Sequence, residues 1–112
     1  MRHLPTFVKW TVAKFIYDHP KLKHRVKIEF VDKPSCKFIG KCIRPGRKFI
    51  LRFNLPLLER AQASSKYGAE DVILHECVHM VMPVNEHHGK RFKAECHRIG
   101  ISDKHCNKVV KI

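Results

Sequence analysis

No run in this 112-residue sequence approaches the ~20 apolar residues needed to cross a bilayer. The first ten residues, MRHLPTFVKW, lack the apolar stretch of a secretory leader. No C-x-x-C pair, internal repeat or low-complexity segment occurs. Acidic residues are scarce, 10 against 23 Lys+Arg, for a formal charge of +13. These absences argue against a membrane span, a zinc ribbon and a repeat array. The five cysteines are an odd number without paired spacing, which reads as thiols in a reducing compartment rather than a disulfide framework. A cytoplasmic location is expected, or a nucleoid or nuclear one if the chain binds DNA, with no secretion and no membrane partner.

Forty-four per cent of the residues are hydrophobic, enough for a packed core. The length fits one domain over residues 1–112, large enough to bury that core without staples. The positive excess draws polyanions and favours a nucleic-acid partner. The plain alternative is a solvated basic surface. The sequence carries no signal of oligomeric state.

Hydrophobic periodicity gives the order α-β-β-β-α-α. A helix opens at Pro5-Thr6 with Val8, Val12, Phe15 and Ile16 as its stripe, and His19-Pro20 ends it. The segment 26–31 alternates as a half-buried strand. A second strand is expected over 37–43 and a third over 48–53. Arg44-Pro45-Gly46-Arg47 between them reads as a hairpin turn, with proline presetting one φ and glycine taking a positive one. Residues 57–63 suit a short helix. A central helix follows over 69–82, with Glu70 and Asp71 in its first turn and Pro83 beyond its end. A last helix runs from His88-Gly89 to Ile99. The expected class is α+β with a three-stranded antiparallel sheet.

The stretch HECVHMVMPVNEHHGKRF, residues 75–92, carries four of the nine histidines within fourteen positions. His75 and His79, four apart on a helix, stand on one face with Cβ atoms ~6 Å apart. Both can reach one Zn²⁺. Glu76 is rotated by about 100° from His75. It is poorly placed to join the ligands but well placed to reach a water beside the metal, the division of labour of H-E-x-x-H hydrolases. The apolar neighbours Val72, Ile73, Leu74, Val78, Met80 and Val81 imply a helix buried on much of its surface. Two histidines satisfied in a core or on a surface are the bland alternative. His88 is the preferred third ligand, because the chain doubles back after a short connection and Phe92 can anchor the new helix beside the site. His87 and Glu95 are rivals, Glu95 also as a hydrogen-bond acceptor behind a ligand. The metzincin pattern needs glycine at 82 and histidine at 85, where Met82 and Asn85 stand.

The pattern of HECVH, a variable loop and HGKRF resembles that of the SprT-like zinc metallopeptidases, the family of bacterial SprT and the DNA-repair protease Spartan. FIGKCI, the turn and KFILRFNLPLLERA resemble the family's hairpin and the strand that precedes its motif helix. The likeness spans about Pro5 to Gly100. It implies a minimal zincin-like metallopeptidase domain with His75, His79 and His88 holding Zn²⁺ and Glu76 as general base. The reaction implied is peptide hydrolysis of protein substrates, including proteins attached to DNA. It also implies a strand near the site, Phe49–Asn54, on which an extended substrate pairs, so Phe49, Leu51, Phe53 and Asn54 are candidate substrate residues. Capping the turn explains Asn54 equally well. Many family members carry a further zinc-binding module that engages DNA, and no such spacing is present. DNA binding would then fall to Lys90, Arg91, Lys93 and Arg98 beside the site and to Arg44, Arg47, Lys48 and Arg52 on the hairpin. Cys96, His97, His105 and Cys106 are competent ligands for a second metal, at a spacing that matches no ribbon; plain thiols are expected there. The alternatives to a peptidase are a basic nucleic-acid-binding module with a structural zinc, marked by a fourth position closed by Cys96 or Glu95, and a protease-like fold without activity.

Overall fold

The computed structural model describes residues 4–63, 68–83 and 85–101. Helix α1 (Leu4–Asp18) leads through a 3-10 turn, Pro20–Leu22, to strand β1 (Val26–Val31). Strands β2 (Gly40–Ile43) and β3 (Phe49–Asn54) follow, then α2 (Leu55–Ala63), α3 (Gly68–Met80) and α4 (Lys90–Ile99). The expected α+β class, N-terminal helix and three strands are present. The central helix stops at Met80 rather than 82, and the last helix begins at Lys90, so His88 lies in the turn before it. Among the described residues no helix is long and apolar enough to span a membrane.

Spacings of three and four put Leu4, Val8, Val12 and Phe15 of α1 on one buried stripe. The alternating residues Phe49, Leu51 and Phe53 of β3 are buried, so one face of the sheet meets the helices. Helix α3 packs against α1, α2, α4 and the sheet, and eight of its residues are buried. It is the axis of the core.

The sheet corrects one expectation. Its order is β1-β3-β2. β2 and β3 form the antiparallel hairpin, whose turn has Gly46 at φ +68°. β1 instead pairs parallel with β3, Val26 opposite Phe49 through Val31 opposite Asn54. The sheet is therefore mixed. The segment 32–39 carries the chain past the end of β3 to its far side, and β3 becomes the central strand.

Asn54 fixes that crossing. Fully buried, it donates from Nδ2 to the carbonyls of Lys33 (2.9 Å) and Phe38 (3.1 Å) and accepts the Lys33 N–H at 3.0 Å. Its own N–H reaches Ile39 O at 2.8 Å. An outer pair supports β1 on β3: Arg52 holds Glu29 with two nitrogens, at 3.0 and 2.8 Å, and this keeps the Glu29 carboxyl below its usual range. Asn54→Ala leaves buried carbonyls without donors, and is expected to destabilise the fold by about 2–4 kcal/mol in urea unfolding; a loss under ~0.5 kcal/mol, the level of an ordinary surface change, would rule out this role.

Candidate metal centre

Helix α3 presents His75 and His79 one turn apart, with ring centroids 5.2 Å apart. The chain leaves α3 through a tightened turn, with Val81 N–H on Val78 O at 3.0 Å. It then folds back through two further turns, Glu86 N–H on Pro83 O (3.0 Å) and Gly89 N–H on Glu86 O (2.9 Å). The Glu86 carboxylate accepts the Arg91 N–H at 3.0 Å, satisfying a free donor of the first turn of α4. This delivers His88 to the pair: its Nε2 lies 3.1 Å from His75 Nε2, and its ring centroid is 4.8 Å from that of His79. Phe92, fully buried, lies beneath all three rings at 4.9, 4.5 and 4.8 Å. It packs against each ring and anchors the start of α4 in the core beside the site, as the sequence suggested.

Ligand atoms of His75, His79 and His88 lie within 4.8 Å of one another. Tetrahedral zinc with nitrogens at ~2.05 Å holds them about 3.3 Å apart. Neutral imidazoles suit that ion, and the three rings fit it. No fourth side chain joins the group among the described residues.

Glu76 is 4% exposed and lines the cleft beside the histidines. It passes over Gly40 of β2, where a Cβ would sit 3.0 Å from Glu76 Cγ and 3.1 Å from the Phe53 ring. Glycine there leaves the channel the carboxyl arm occupies. Burial pushes its pKa up to about 8. The neighbouring thiols are also held protonated: burial, then the Glu76 charge, takes Cys42 up to about 11 and raises Cys77 too. Neither is a ready nucleophile at neutral pH. The chemistry thus converges on a carboxyl group and three imidazoles.

The cleft holds about 620 Å³ and is lined by Lys41, Cys42, Ile43, Arg44, Glu76, His79, Pro83, His87 and His88. Its strand wall is β2, which among the described residues is an edge strand of the sheet. The strand expected to receive substrate is a different one. Phe49, Leu51, Phe53 and Asn54 belong to β3, with both edges paired and all four side chains buried; they build the core and cannot accept another strand. Alternation shows which side chains are buried, not which strand is outermost, so the sequence could not place β3 in the centre. His87 is exposed, in a left-handed conformation with φ +51°, and lines the cleft without joining the histidine group. Glu95 is turned elsewhere, held by Arg98 Nε at 2.8 Å with His19 at 4.0 Å. Cys96 is buried and His97 exposed; His105 and Cys106 lie outside the described residues.

Three of the eight basic residues expected to face DNA are engaged. Arg52 holds Glu29, Arg98 holds Glu95, and Arg44 donates to the carbonyls of His79 and Met82. Lys90, Arg91, Lys93, Arg47 and Lys48 are exposed.

An α+β fold whose H-E-x-x-H helix and following turn gather three histidines beside a buried glutamate is of the zinc-metallopeptidase type. The chain belongs to the SprT-like family, whose model matches residues 7–111. No curated protein and no solved structure gives a significant match.

The raised Glu76 pKa makes a testable demand on the metal-free protein. The folded state holds that proton up to about pH 8, while an unfolded glutamate releases it near pH 4.3. Its contribution to stability is complete below the unfolded value and is lost as pH rises through the folded one. Glu76→Gln should therefore flatten the decline in stability between about pH 5 and pH 8, where one such group gives up to about 1.4 kcal/mol per pH unit. Parallel stability-against-pH curves for the two proteins would refute the burial effect.

Proposed function

We propose that this protein is a zinc-dependent endopeptidase acting on extended protein segments, including those of proteins bound or crosslinked to DNA. The observation that carries the reading is the buried Glu76 carboxyl beside three converging imidazoles, in a cleft walled by the edge strand β2. Bound by His75, His79 and His88, a zinc ion would supply Lewis acidity, acidifying water and polarising a carbonyl. The chain supplies the rest. The β2 edge offers backbone donors and acceptors that align an extended peptide. Glu76, set by Gly40, takes the proton from the attacking water and passes it to the leaving amine. A metal-free carboxyl held protonated to about pH 8 is a poor base, and a cation beside it would lower that value by favouring the charged form. Base and metal are thereby linked.

Glu76→Gln is expected to retain zinc while peptide hydrolysis falls by about 10²–10⁴-fold, the usual contribution of a general base. His75→Ala is expected to lose both. Wild-type turnover by Glu76→Gln, measured on an unfolded protein substrate with and without DNA, would eliminate the assignment.

A structural zinc in a purely nucleic-acid-binding module would require the fourth position to be closed. The two groups expected to close it are placed otherwise: Glu95 is held by Arg98 and Cys96 is in the core.

The exposed Lys90, Arg91, Lys93, Arg47 and Lys48 support DNA as a partner, with α4 and the hairpin tip flanking the site. Binding to phosphates releases counterions, so affinity should fall steeply with salt. Replacing Lys90, Arg91 and Lys93 together with alanine should reduce the log–log salt slope by about one for each phosphate that the helix no longer neutralises. An unaltered slope in a fluorescence-anisotropy titration would remove α4 from the interface.

A further inference from the structure

Arg44 stands directly after β2 and would be read from sequence as one more surface cation. Its guanidinium instead turns inward. Nη2 donates to the backbone carbonyls of His79 and Met82, the latter at 2.6 Å. The guanidinium also lies over the Phe49 ring, 5.4 Å from its centre, and the side chain lines the cleft with Glu76, His79 and His88. One side chain thus joins the strand forming one wall of the cleft to the helix end carrying a metal ligand.

His79 lies in the last turn of α3, which stops at Met80, and Met82 in the turn after it, with its N–H also reaching the His79 carbonyl at 3.4 Å. Terminal carbonyls there lack partners inside the helix, and the negative end of the helix dipole favours a cation. The last turn is where a helix frays, and His79 sits in it; the arginine adds a charged donor to the long backbone bond there. The chain that returns His88 leaves from the same place. Both bonds leave one nitrogen, whose two N–H groups are fixed in the guanidinium plane at a set angle, which the freely rotating ammonium of lysine does not hold.

We propose that Arg44 is a positioning residue, which fixes His79 and the path to His88 in register with the β2 edge. The histidines, Glu76 and an extended substrate are thereby held in one frame. The inference rests on the metallopeptidase reading of the site, but its test needs no turnover.

Two effects of the arginine have opposite signs. As a charge, it repels a metal cation, so its removal would tighten binding. As a clamp, it holds the ligands in place, so its removal weakens binding. Support that orients metal ligands is worth about 10–100-fold in affinity.

The experiment measures zinc affinity of the full chain by competition with a chromophoric chelator, and records the visible spectrum of the Co²⁺-loaded protein per bound metal. Wild type is compared with Arg44→Met, Arg44→Lys and Lys9→Met, the last removing the same charge from α1. Arg44→Met is expected to bind zinc at least about tenfold more weakly with an altered Co²⁺ spectrum, Arg44→Lys to fall between it and wild type, and Lys9→Met to match wild type. Equal or tighter zinc binding by Arg44→Met, or an unchanged Co²⁺ spectrum, overturns the proposal. Should Arg44→Met not fold, Arg44→Lys decides: wild-type affinity and spectrum reject the clamp, and a loss in both upholds it. Failure of the peptidase reading would show separately, as wild-type protein that binds zinc normally and yields no Glu76-dependent cleavage.

Discussion

Two ionisable side chains at consecutive positions of α3, His75 and Glu76, are 3% and 4% exposed, and much of the remaining structure answers that burial. An isolated charge in such surroundings is costly, so the group shifts its pKa or acquires a partner. Glu76 does the first, pushed up to about 8. His75 gains His88 Nε2 at 3.1 Å, at a separation that suits shared coordination. The apolar packing that makes α3 the axis of the core also keeps these groups out of water, where electrostatic interactions are stronger. Core and site therefore rest on one helix, and the glycine at 40 is what lets the sheet approach it closely enough.

The third histidine depends on short-range backbone bonding. Between Val78 and Arg91 the chain makes turns closed on Val78, Pro83 and Glu86 carbonyls, and the Glu86 carboxylate receives the start of α4. Phe92 follows His88 by four residues and puts its ring under the cluster. A rigid aromatic plate limits the rotations open to each imidazole, so packing shares with hydrogen bonds the work of orienting the ligands. Preorganisation of this kind lowers the entropy lost when a metal ion binds.

Much of this was legible in the sequence, for physical reasons that also mark its limits. Helix periodicity and the i, i+4 histidines specify a face, so α1, α3 and the pairing of His75 with His79 could be read directly. Pro45-Gly46 specifies a turn, so the β2–β3 hairpin could be read too. Alternation in Val26–Val31 specifies two faces but no neighbour, which is why the parallel pairing of β1 with β3 did not show. It depends on a crossing held by Asn54, whose side-chain partners are carbonyls sixteen to twenty-one residues away. Likewise Arg44, Arg52 and Arg98 have the composition of a phosphate-binding surface, but residue type says nothing about the acceptor. Two of them found carboxylates and one found a helix end.

The placement of β2 brings two requirements into tension. An open strand edge is a hazard, because unpaired backbone groups invite pairing with other chains. Here the edge strand beyond Gly40 is short, ending at Ile43, with an exposed lysine at position 41, and it borders a cleft ending at the histidines. A short, charged edge offers too few backbone bonds to stabilise an aggregate of sheets, since a lone pair of strands is marginal in water. In the proposed reading it still offers enough to align one extended chain. Placing the longer β3 in the centre, with both edges paired, leaves the sheet edges among the described residues to β1 and to this short strand beside the glutamate. The sheet order is therefore part of the proposed catalytic arrangement: interchanging β2 and β3 would put the six-residue strand at the edge beside the cleft and move Gly40 away from Glu76.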